Sequence, residues 1–297
     1  MSVKLIHYYR ENAEYRQAFF ELVPQIFTGV SFTEWYKRGC WDPKYQGYAM
    51  YDETTRQMIA NVSICPMDIW LNHRLIQGVQ FSAVSSLPQA RGKGYHRKLM
   101  EAVFKDYAHQ TDLFFLFANP SVTDFYPLFG FRQVKEHLFH AAYPSNLSPG
   151  FSAVHLDVDQ PDDWQLLTSF TANRTPITQV FGAANDGYIL GWGLLYPFRQ
   201  KILYLPQQQV IVIAETKEGV LYIYDILTQK PLSEINFDEV LELVSLPGTH
   251  TIELHFTPEK LPLTATPIAT NGNSPLFVKG DFPIASHHFK FPVMAQT

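Results

Sequence analysis

The chain has 297 residues and a formal charge of −5, from 23 lysines and arginines against 28 aspartates and glutamates. This mild acidity argues against a protein that works by neutralising nucleic-acid phosphates, and 46% hydrophobic with 17% charged residues excludes a disordered chain. The N-terminal residues lack the apolar core of a signal peptide, and no apolar run approaches the roughly 18 residues of a membrane span. We expect a soluble cytoplasmic protein of two domains, with no nucleic-acid or membrane partner.

The first half of the chain alternates helix-like and strand-like patterns. Residues 113–118 read LFFLFA, which is too short for a core helix and too apolar for a half-exposed strand. Such a run is typical of a fully buried strand in a parallel sheet. Apolar periodicity and turn residues predict the following elements in order: a helix over 11–27, strands over 58–71 and 77–86, a helix over 94–107, the strand over 113–118, a short helix over 122–129 and a strand over 131–143.

Residues 144–150 read PSNLSPG and have the composition of a linker. We therefore predict one domain over 1–146 and a second over 150–297. The predicted elements of the second domain are a helix over 163–173, three strand-like runs within 203–227, a helix over 237–244, a strand over 251–256 and an irregular tail from 257.

The most informative stretch is residues 83–100, AVSSLPQARGKGYHRKLM. Gly92 and Gly94 allow backbone amides to approach a ligand without side-chain obstruction. The helix that begins here offers free N–H groups and a partial positive charge, which suit a pyrophosphate. Arg91 and Lys93 add formal charge at the same place. The alternative is a solvated basic turn that only joins a strand to a helix.

This stretch resembles the coenzyme motif of the GNAT N-acyltransferase superfamily, P-x-x-R-G-x-G-x-G/A between a strand and a helix. Pro88 to Gly94 follows that motif, whereas His96 stands where the family usually has Gly or Ala. A second register that begins at Gln89 also satisfies the looser form of the motif, but Pro88 favours the register with Arg91.

A second motif lies about one helix and one strand further along the chain. The family has an Asn after its fifth strand, a Tyr seven residues later and Gly-Phe four residues after that. Asn119, Tyr126, Gly130 and Phe131 match this spacing. The resemblance covers roughly residues 3–143.

The resemblance implies an α/β (α+β) fold with a GNAT-type mixed, twisted sheet flanked by helices. The second, smaller α+β domain is then a degenerate GNAT-like copy, an unrelated lid or a dimerisation module. The order of its predicted elements weakly echoes the first domain and favours the degenerate copy. We also expect residues 150–297 to pack on the acceptor side and to leave the coenzyme loop untouched.

The family further implies that two parallel strands splay apart and that the pantetheine arm of acetyl-CoA lies between them. Its hydrogen bonds would go to backbone around Val84 and Ser86, with the loop amides around the pyrophosphate. Asn119 either contacts the same arm or only forms a turn before Pro120. The implied coenzyme-binding residues are Val84, Ser85, Ser86, Arg91, Gly92, Lys93, Gly94, Tyr95, His96 and Asn119.

Tyr126 is the candidate catalytic residue. Transfer from a thioester expels a thiolate whose conjugate acid has a pKa of about 8.5, and a tyrosine hydroxyl can protonate it as a general acid. The alternative is a tyrosine of the hydrophobic core. The implied activity is direct acetyl transfer from acetyl-CoA to a primary amine, and the rival is a non-catalytic acyl-CoA-binding sensor or scaffold.

The general base and the acceptor stay open at this point. Many family members have a carboxylate on the strand before the loop, whereas residues 76–86 contain none. The acceptor is a small-molecule or protein amine, a homodimer is possible in principle, and we expect no metal because His287 and His288 lack further ligands at fixed spacing. Candidates by residue type alone are Glu34, Asp68, His73 and His140 for the base, with 32–36 and 39–41 as an acceptor wall.

Overall fold

A computed structural model describes residues 3–270 and 273–297 and shows two mixed β-sheets with helices packed against them. Within these residues, no helix combines the length and apolar composition that crossing a bilayer requires. The elements of the first half are β1 (Val3–His7), α1 (Ala13–Ile26), α2 (Thr33–Lys37), β2 (Gln46–Asp52), β3 (Gln57–Leu71), β4 (Arg74–Ser86), α3 (Tyr95–Tyr107), β5 (Leu113–Phe117), β6 (Arg132–Val134) and β7 (His137–Ala142). Those of the second half are β8 (Val154–His155), α4 (Pro161–Thr171), β9 (Phe181–Ala184), α5 (Gly187–Leu195), β10 (Ile202–Leu205), β11 (Val210–Lys217), β12 (Val220–Leu227), α6 (Phe237–Val244), β13 (Thr251–Leu254), β14 (Thr266–Ala269) and β15 (Leu276–Gly280).

The first sheet has the strand order β1-β2-β3-β4-β5-β15-β6, with β9 paired to the far part of β3. β4 and β5 are parallel, and their pairing runs from Gly78 opposite Leu113 to Gln80 opposite Phe115. β4 then continues to Ser86 without β5 as a partner. The predicted parallel pair that splays apart at its end is therefore confirmed.

The second sheet has the order β14-β7-β13-β12-β11-β10-β8. The antiparallel hairpin of β11 and β12, the helix α6 and the strand β13 parallel to β12 repeat the arrangement of β3, β4, α3 and β5. Where β12 runs on past its last pair with β13, the tail of the chain packs against it, and the Val293 N–H donates to the His255 carbonyl. This order favours the degenerate-copy interpretation, and the chain itself fills the place that corresponds to the gap between β4 and β5 in the first sheet.

Strands from both halves of the chain contribute to each sheet. The predicted strand over 131–143 is wrong as a single element, because it divides into β6 in the first sheet and β7 in the second. Between them Glu136 is buried and accepts hydrogen bonds from Lys290 Nζ at 2.8 Å and from the Phe291 N–H at 2.9 Å. The tail from 257 is not irregular throughout either, since it contains β14 and β15. Domains of 1–146 and 150–297 stay a prediction, and that boundary does not coincide with the boundary between the sheets.

The predicted helices over 11–27, 94–107, 163–173 and 237–244 are confirmed as α1, α3, α4 and α6. The predicted helix over 122–129 is instead two short 3₁₀ turns, Pro120–Val122 and Tyr126–Phe129. Sequence periodicity missed α5, because this helix is buried on nearly all sides and so has no polar face.

A buried ion-pair triad joins α5 to the second sheet. Arg174 donates through Nε and Nη2 to Asp186, at 3.0 and 2.7 Å, and through Nη1 to both carboxylate oxygens of Asp225, at 2.9 and 2.8 Å. The three side chains are almost completely buried. A charge buried to this degree is tolerated only when it is paired, so the triad fixes α5 against β12.

Candidate active site

A cavity of about 600 Å³ lies where β4 and β5 diverge. One end is lined by the last residues of β4, by Arg91 and His96 of the loop and first turn of α3, and by the segment that follows β5. A smaller cavity of about 400 Å³ adjoins it along the loop itself. The residues of this end that line the larger cavity are Val84, Ser85, Ser86, Arg91, His96, Asn119, Ser121, Val122, Phe125 and Tyr126.

The end of β4 offers free backbone groups to the larger cavity. The Leu87 N–H donates to the Ile59 carbonyl, and Ser85 lies opposite Asn61 in the ladder with β3. Backbone groups alternate between the two edges of an antiparallel strand. The groups of Ser85 therefore face β3, and those of Val84 and Ser86 face the gap toward β5, as the family resemblance requires for a pantetheine arm.

A buried polar cluster holds this edge of β4 in place. Ala83 has a left-handed backbone with φ of 43°, which is uncommon for a residue with a side chain. Its carbonyl accepts hydrogen bonds from Asn61 Nδ2 at 3.0 Å and from Ser85 Oγ at 3.1 Å, and the Tyr9 hydroxyl donates to Asn61 Oδ1 at 2.7 Å. Sequence reasoning missed Asn61, although a polar residue in the apolar run MIANVSIC was a usable signal.

The glycine-rich loop has the backbone that the motif predicts. Gly92 and Gly94 have φ of 74° and 75°, and Gly94 is the N-cap of α3 without a side-chain cap. A Cβ at either glycine would meet nothing within 4 Å, so the need for glycine is conformational and the loop is open. The first N–H groups of α3 have no acceptor within the helix. Tyr95 lines the smaller cavity, whereas the exposed Lys93 lines neither.

His96, one of the implied coenzyme-binding residues, lines both cavities and bonds to the end of β4. Its Nε2 lies 2.9 Å from the Ser85 carbonyl oxygen, to which it donates, and its ring packs edge-on against Phe125 with centroids 5.8 Å apart. Burial, with a smaller effect of the Arg91 charge, lowers the pKa of His96 below its ordinary value of 6.5. The side chain is thus neutral at pH 7 and links the first turn of α3 to Ser85 near the end of β4.

Asn119 forms the turn that one of the two sequence interpretations predicts. Its Oδ1 accepts hydrogen bonds from the Ser121 N–H at 2.9 Å and from Ser121 Oγ at 2.8 Å. The residue also lines the larger cavity, so its Nδ2 donor stays a candidate for contact with the coenzyme.

Tyr126 begins the second 3₁₀ turn and lines the same cavity. Its ring packs against Phe125, Phe131 and Phe277, with centroids 5.4, 6.2 and 5.6 Å away. Among residues 3–270 and 273–297 its hydroxyl has no hydrogen-bond partner, and burial raises the pKa of Tyr126 to about 12. The hydroxyl is therefore a protonated donor at neutral pH.

None of the four base candidates lies in the cavity wall. Asp68 accepts from Gln77 and Asn185 on the far part of the first sheet, and His140 pairs with Glu253 on the second sheet. Over the part of the chain that the structure describes, the wall contains no aspartate or glutamate. In the same residues, no group of three or more potential metal-ligating side chains comes together.

The far end of the cavity is built by both halves of the chain. Phe32 and Trp35 of the predicted wall line it, whereas Trp41 lies behind, with its ring stacked 5.7 Å from Trp35. α5 contributes Ile189 and Trp192, and the tail contributes Gln296 and Thr297. The smaller cavity along the loop is lined by residues 86–129 alone. α5 and the tail thus lie at the end of the cavity away from the loop, and that this end is the acceptor side stays a prediction.

A strand pair that splays around a cavity, followed by a glycine loop at a helix N-terminus, is the arrangement that the two sequence motifs predict. Residues 11–134 match the family model described as an acetyltransferase (GNAT) domain. This part of the chain is a GNAT acetyltransferase domain. No curated protein matches the sequence.

Solved structures share the fold over nearly the whole chain. A probable N-acyltransferase of unknown function from Enterococcus faecalis V583 superimposes with a TM-score of 0.62 at 15% identity, over 94% of this chain and 72% of its own. Eis1 from Mycobacterium abscessus superimposes with a TM-score of 0.57 at 14% identity, over 93% of this chain and 73% of its own. A GCN5-related N-acetyltransferase from Kribbella flavida superimposes with a TM-score of 0.56 at 13% identity, over 96% of this chain and 72% of its own. At these identities the likeness concerns the fold, and it includes both sheets.

Proposed function

We propose that this protein is a cytoplasmic acyltransferase that moves the acetyl group of acetyl-CoA to a primary amine, directly and within a ternary complex. The observation that carries the proposal is Tyr126, which lines the cavity that the end of β4 and Arg91 of the glycine loop also line, and whose hydroxyl has no hydrogen-bond partner among the described residues. Bound acetyl-CoA would supply an activated thioester at this place.

The residues present fit the coenzyme. The open backbone at Gly92 and Gly94 and the free N–H groups of the first turn of α3 suit the pyrophosphate, and Arg91 adds a positive charge. The backbone of Val84 and Ser86 can pair with the amides of the pantetheine arm in the manner of an added strand. His96 holds the first turn of α3 close to the end of β4 through its bond to Ser85.

Tyr126 would act on the leaving group. A hydroxyl whose pKa is about 12 stays protonated through the neutral range, so it donates a hydrogen bond to the sulfur as negative charge develops there. The aromatic contacts of its ring hold the hydroxyl in place.

Direct transfer is supported by the positions of the two cysteines. Neither Cys40 nor Cys65 lines the cavity. Burial raises the pKa of the Cys40 thiol to about 11 and that of Cys65 further still, so neither thiol readily gives the thiolate that a covalent intermediate needs. The amine would therefore attack the thioester itself.

The test combines calorimetry with coenzyme A and free-thiol release from acetyl-CoA in the presence of amines, among them a peptide N-terminus, a lysine derivative, spermidine and 2-phenylethylamine. Coenzyme binding with amine-dependent thiol release is the expected result. Coenzyme binding without release with any amine would favour the non-catalytic sensor, and loss of both would overturn the proposal. Gly94→Glu is the matched control, because it should remove both signals.

A further inference from the structure

The end of the cavity away from the glycine loop is mainly apolar, with Gln296 and Thr297 of the tail as polar members. Its apolar side chains come from four separate parts of the chain, which are the segment from the end of α1 to α2, the residue before β2, β4 and α5. The members of this apolar wall are Ile26, Phe27, Val30, Phe32, Trp35, Tyr45, Phe81, Ile189 and Trp192.

The polar atoms of this wall are already engaged within the protein. Trp35 Nε1 donates to the Tyr188 carbonyl at 2.7 Å, and Trp192 Nε1 donates to the Ser31 carbonyl at 2.9 Å. The Tyr45 hydroxyl lies 3.2 Å from Ser82 Oγ. A ligand can therefore contact these aromatic residues only through their rings, and rings favour an apolar or aromatic partner.

The charged groups of the cavity also favour an apolar ligand. Its described lining contains no carboxylate side chain, and its one permanently charged side chain is the cation Arg91 at the coenzyme end. An amine with several ammonium groups would have to bury cations that no Asp or Glu side chain of the described lining can pair with, which is unfavourable. An amine with a single nitrogen can instead enter in its neutral form, because burial lowers the pKa of an amine. The neutral form is also the nucleophile.

We infer that the acceptor of the proposed transferase is a monoamine with an apolar, aromatic body, an arylalkylamine, and that the apolar wall selects it against polyamines. This inference rests on the proposed function and names its substrate class. Burial of one aromatic ring against the wall is worth roughly 10- to 100-fold in affinity. We therefore expect 2-phenylethylamine to exceed ethylamine by that factor in kcat/KM, and to exceed spermidine by at least as much.

The experiment uses the full chain and two measurements. The first is acetyl-CoA-dependent thiol release with 2-phenylethylamine, ethylamine and spermidine. The second is calorimetric binding of 2-phenylethylamine to the protein saturated with coenzyme A, which needs no turnover. Val30→Asp places a carboxylate in the wall at a partly exposed position. It should lower the affinity and the kcat/KM for 2-phenylethylamine by at least tenfold and raise the kcat/KM for spermidine. Leu246→Asp, in an exposed loop outside the cavity, is the matched control and should change neither.

The outcomes separate the two proposals. Equal turnover of the three amines, or a preference for spermidine, would overturn the inference while the transferase activity stands. Binding of 2-phenylethylamine that Val30→Asp weakens, with no thiol release from any amine, would support the apolar acceptor site and overturn the proposed activity. If 2-phenylethylamine neither binds in calorimetry nor supports thiol release, the inference is overturned. A thermal melt of Val30→Asp that matches the Leu246→Asp control shows that the change is local.

Discussion

Replacement of Tyr126 by phenylalanine removes one hydroxyl and keeps the ring and its aromatic contacts. The pKa of Tyr126 is about 12, and that of a leaving thiol is about 8.5. Complete proton transfer is therefore uphill by about 3.5 pH units, or about 4.8 kcal/mol at 1.36 kcal/mol per unit. A donated hydrogen bond to the developing charge is the larger contribution, and such bonds are worth about 1.5–3 kcal/mol. We expect kcat to fall by roughly 10- to 150-fold.

The assay is thiol release at saturating acetyl-CoA, with coenzyme affinity measured in parallel. Folding should be unaffected, because the hydroxyl gives up no bond to the described residues. Tyr143→Phe is the matched control: Tyr143 is also a buried tyrosine whose hydroxyl has no hydrogen-bond partner among the described residues, but it lies in the core of the second sheet. Tyr126→Phe turnover equal to wild type would return Tyr126 to a packing role. Wild-type activity that falls above pH 9 through a Tyr126 ionisation would contradict the raised pKa.

Three further predictions concern the loop, the triad and the histidine. Gly94→Glu should abolish coenzyme binding in calorimetry, whereas Gly94→Asn, which tolerates a positive φ and carries no charge, should retain most of it; equal affinities in the two variants would disprove the loop assignment. Arg174→Ala leaves Asp186 and Asp225 buried without a counterion, so the free energy of unfolding in urea should fall by about 3–5 kcal/mol, and a loss below 1 kcal/mol would refute that reasoning. Since burial lowers the pKa of His96, the unfolded chain takes up this proton at a higher pH than the folded chain, and stability is lost as the pH falls below about 6.5. His96→Gln keeps a donor but does not titrate, so its stability should fall less steeply between pH 7 and 5, and identical slopes would exclude the effect.

The residues around the coenzyme loop could be predicted from sequence because their signals are local. The positive φ at Gly92 and Gly94, the start of α3 and the buried strand β5 each depend on a few neighbouring residues. The spacing of Asn119 and Tyr126 follows from one short connection after β5. Turn residues and apolar periodicity are local signals, and a segment of about ten residues is enough to show them.

Other features depended on segments that are far apart in the chain. β15 begins at Leu276, yet it inserts between β5 and β6 and completes the first sheet. The apolar wall combines the end of α1, α2 and α5, and the bond from His96 to Ser85 required the helix and strand to be placed. Sequence determined the loop and Tyr126, because a helix start and a glycine turn are encoded by adjacent residues. Only the tertiary structure decided what surrounds them, because strand pairing and cavity walls depend on edges and faces that meet after more than a hundred residues of intervening chain.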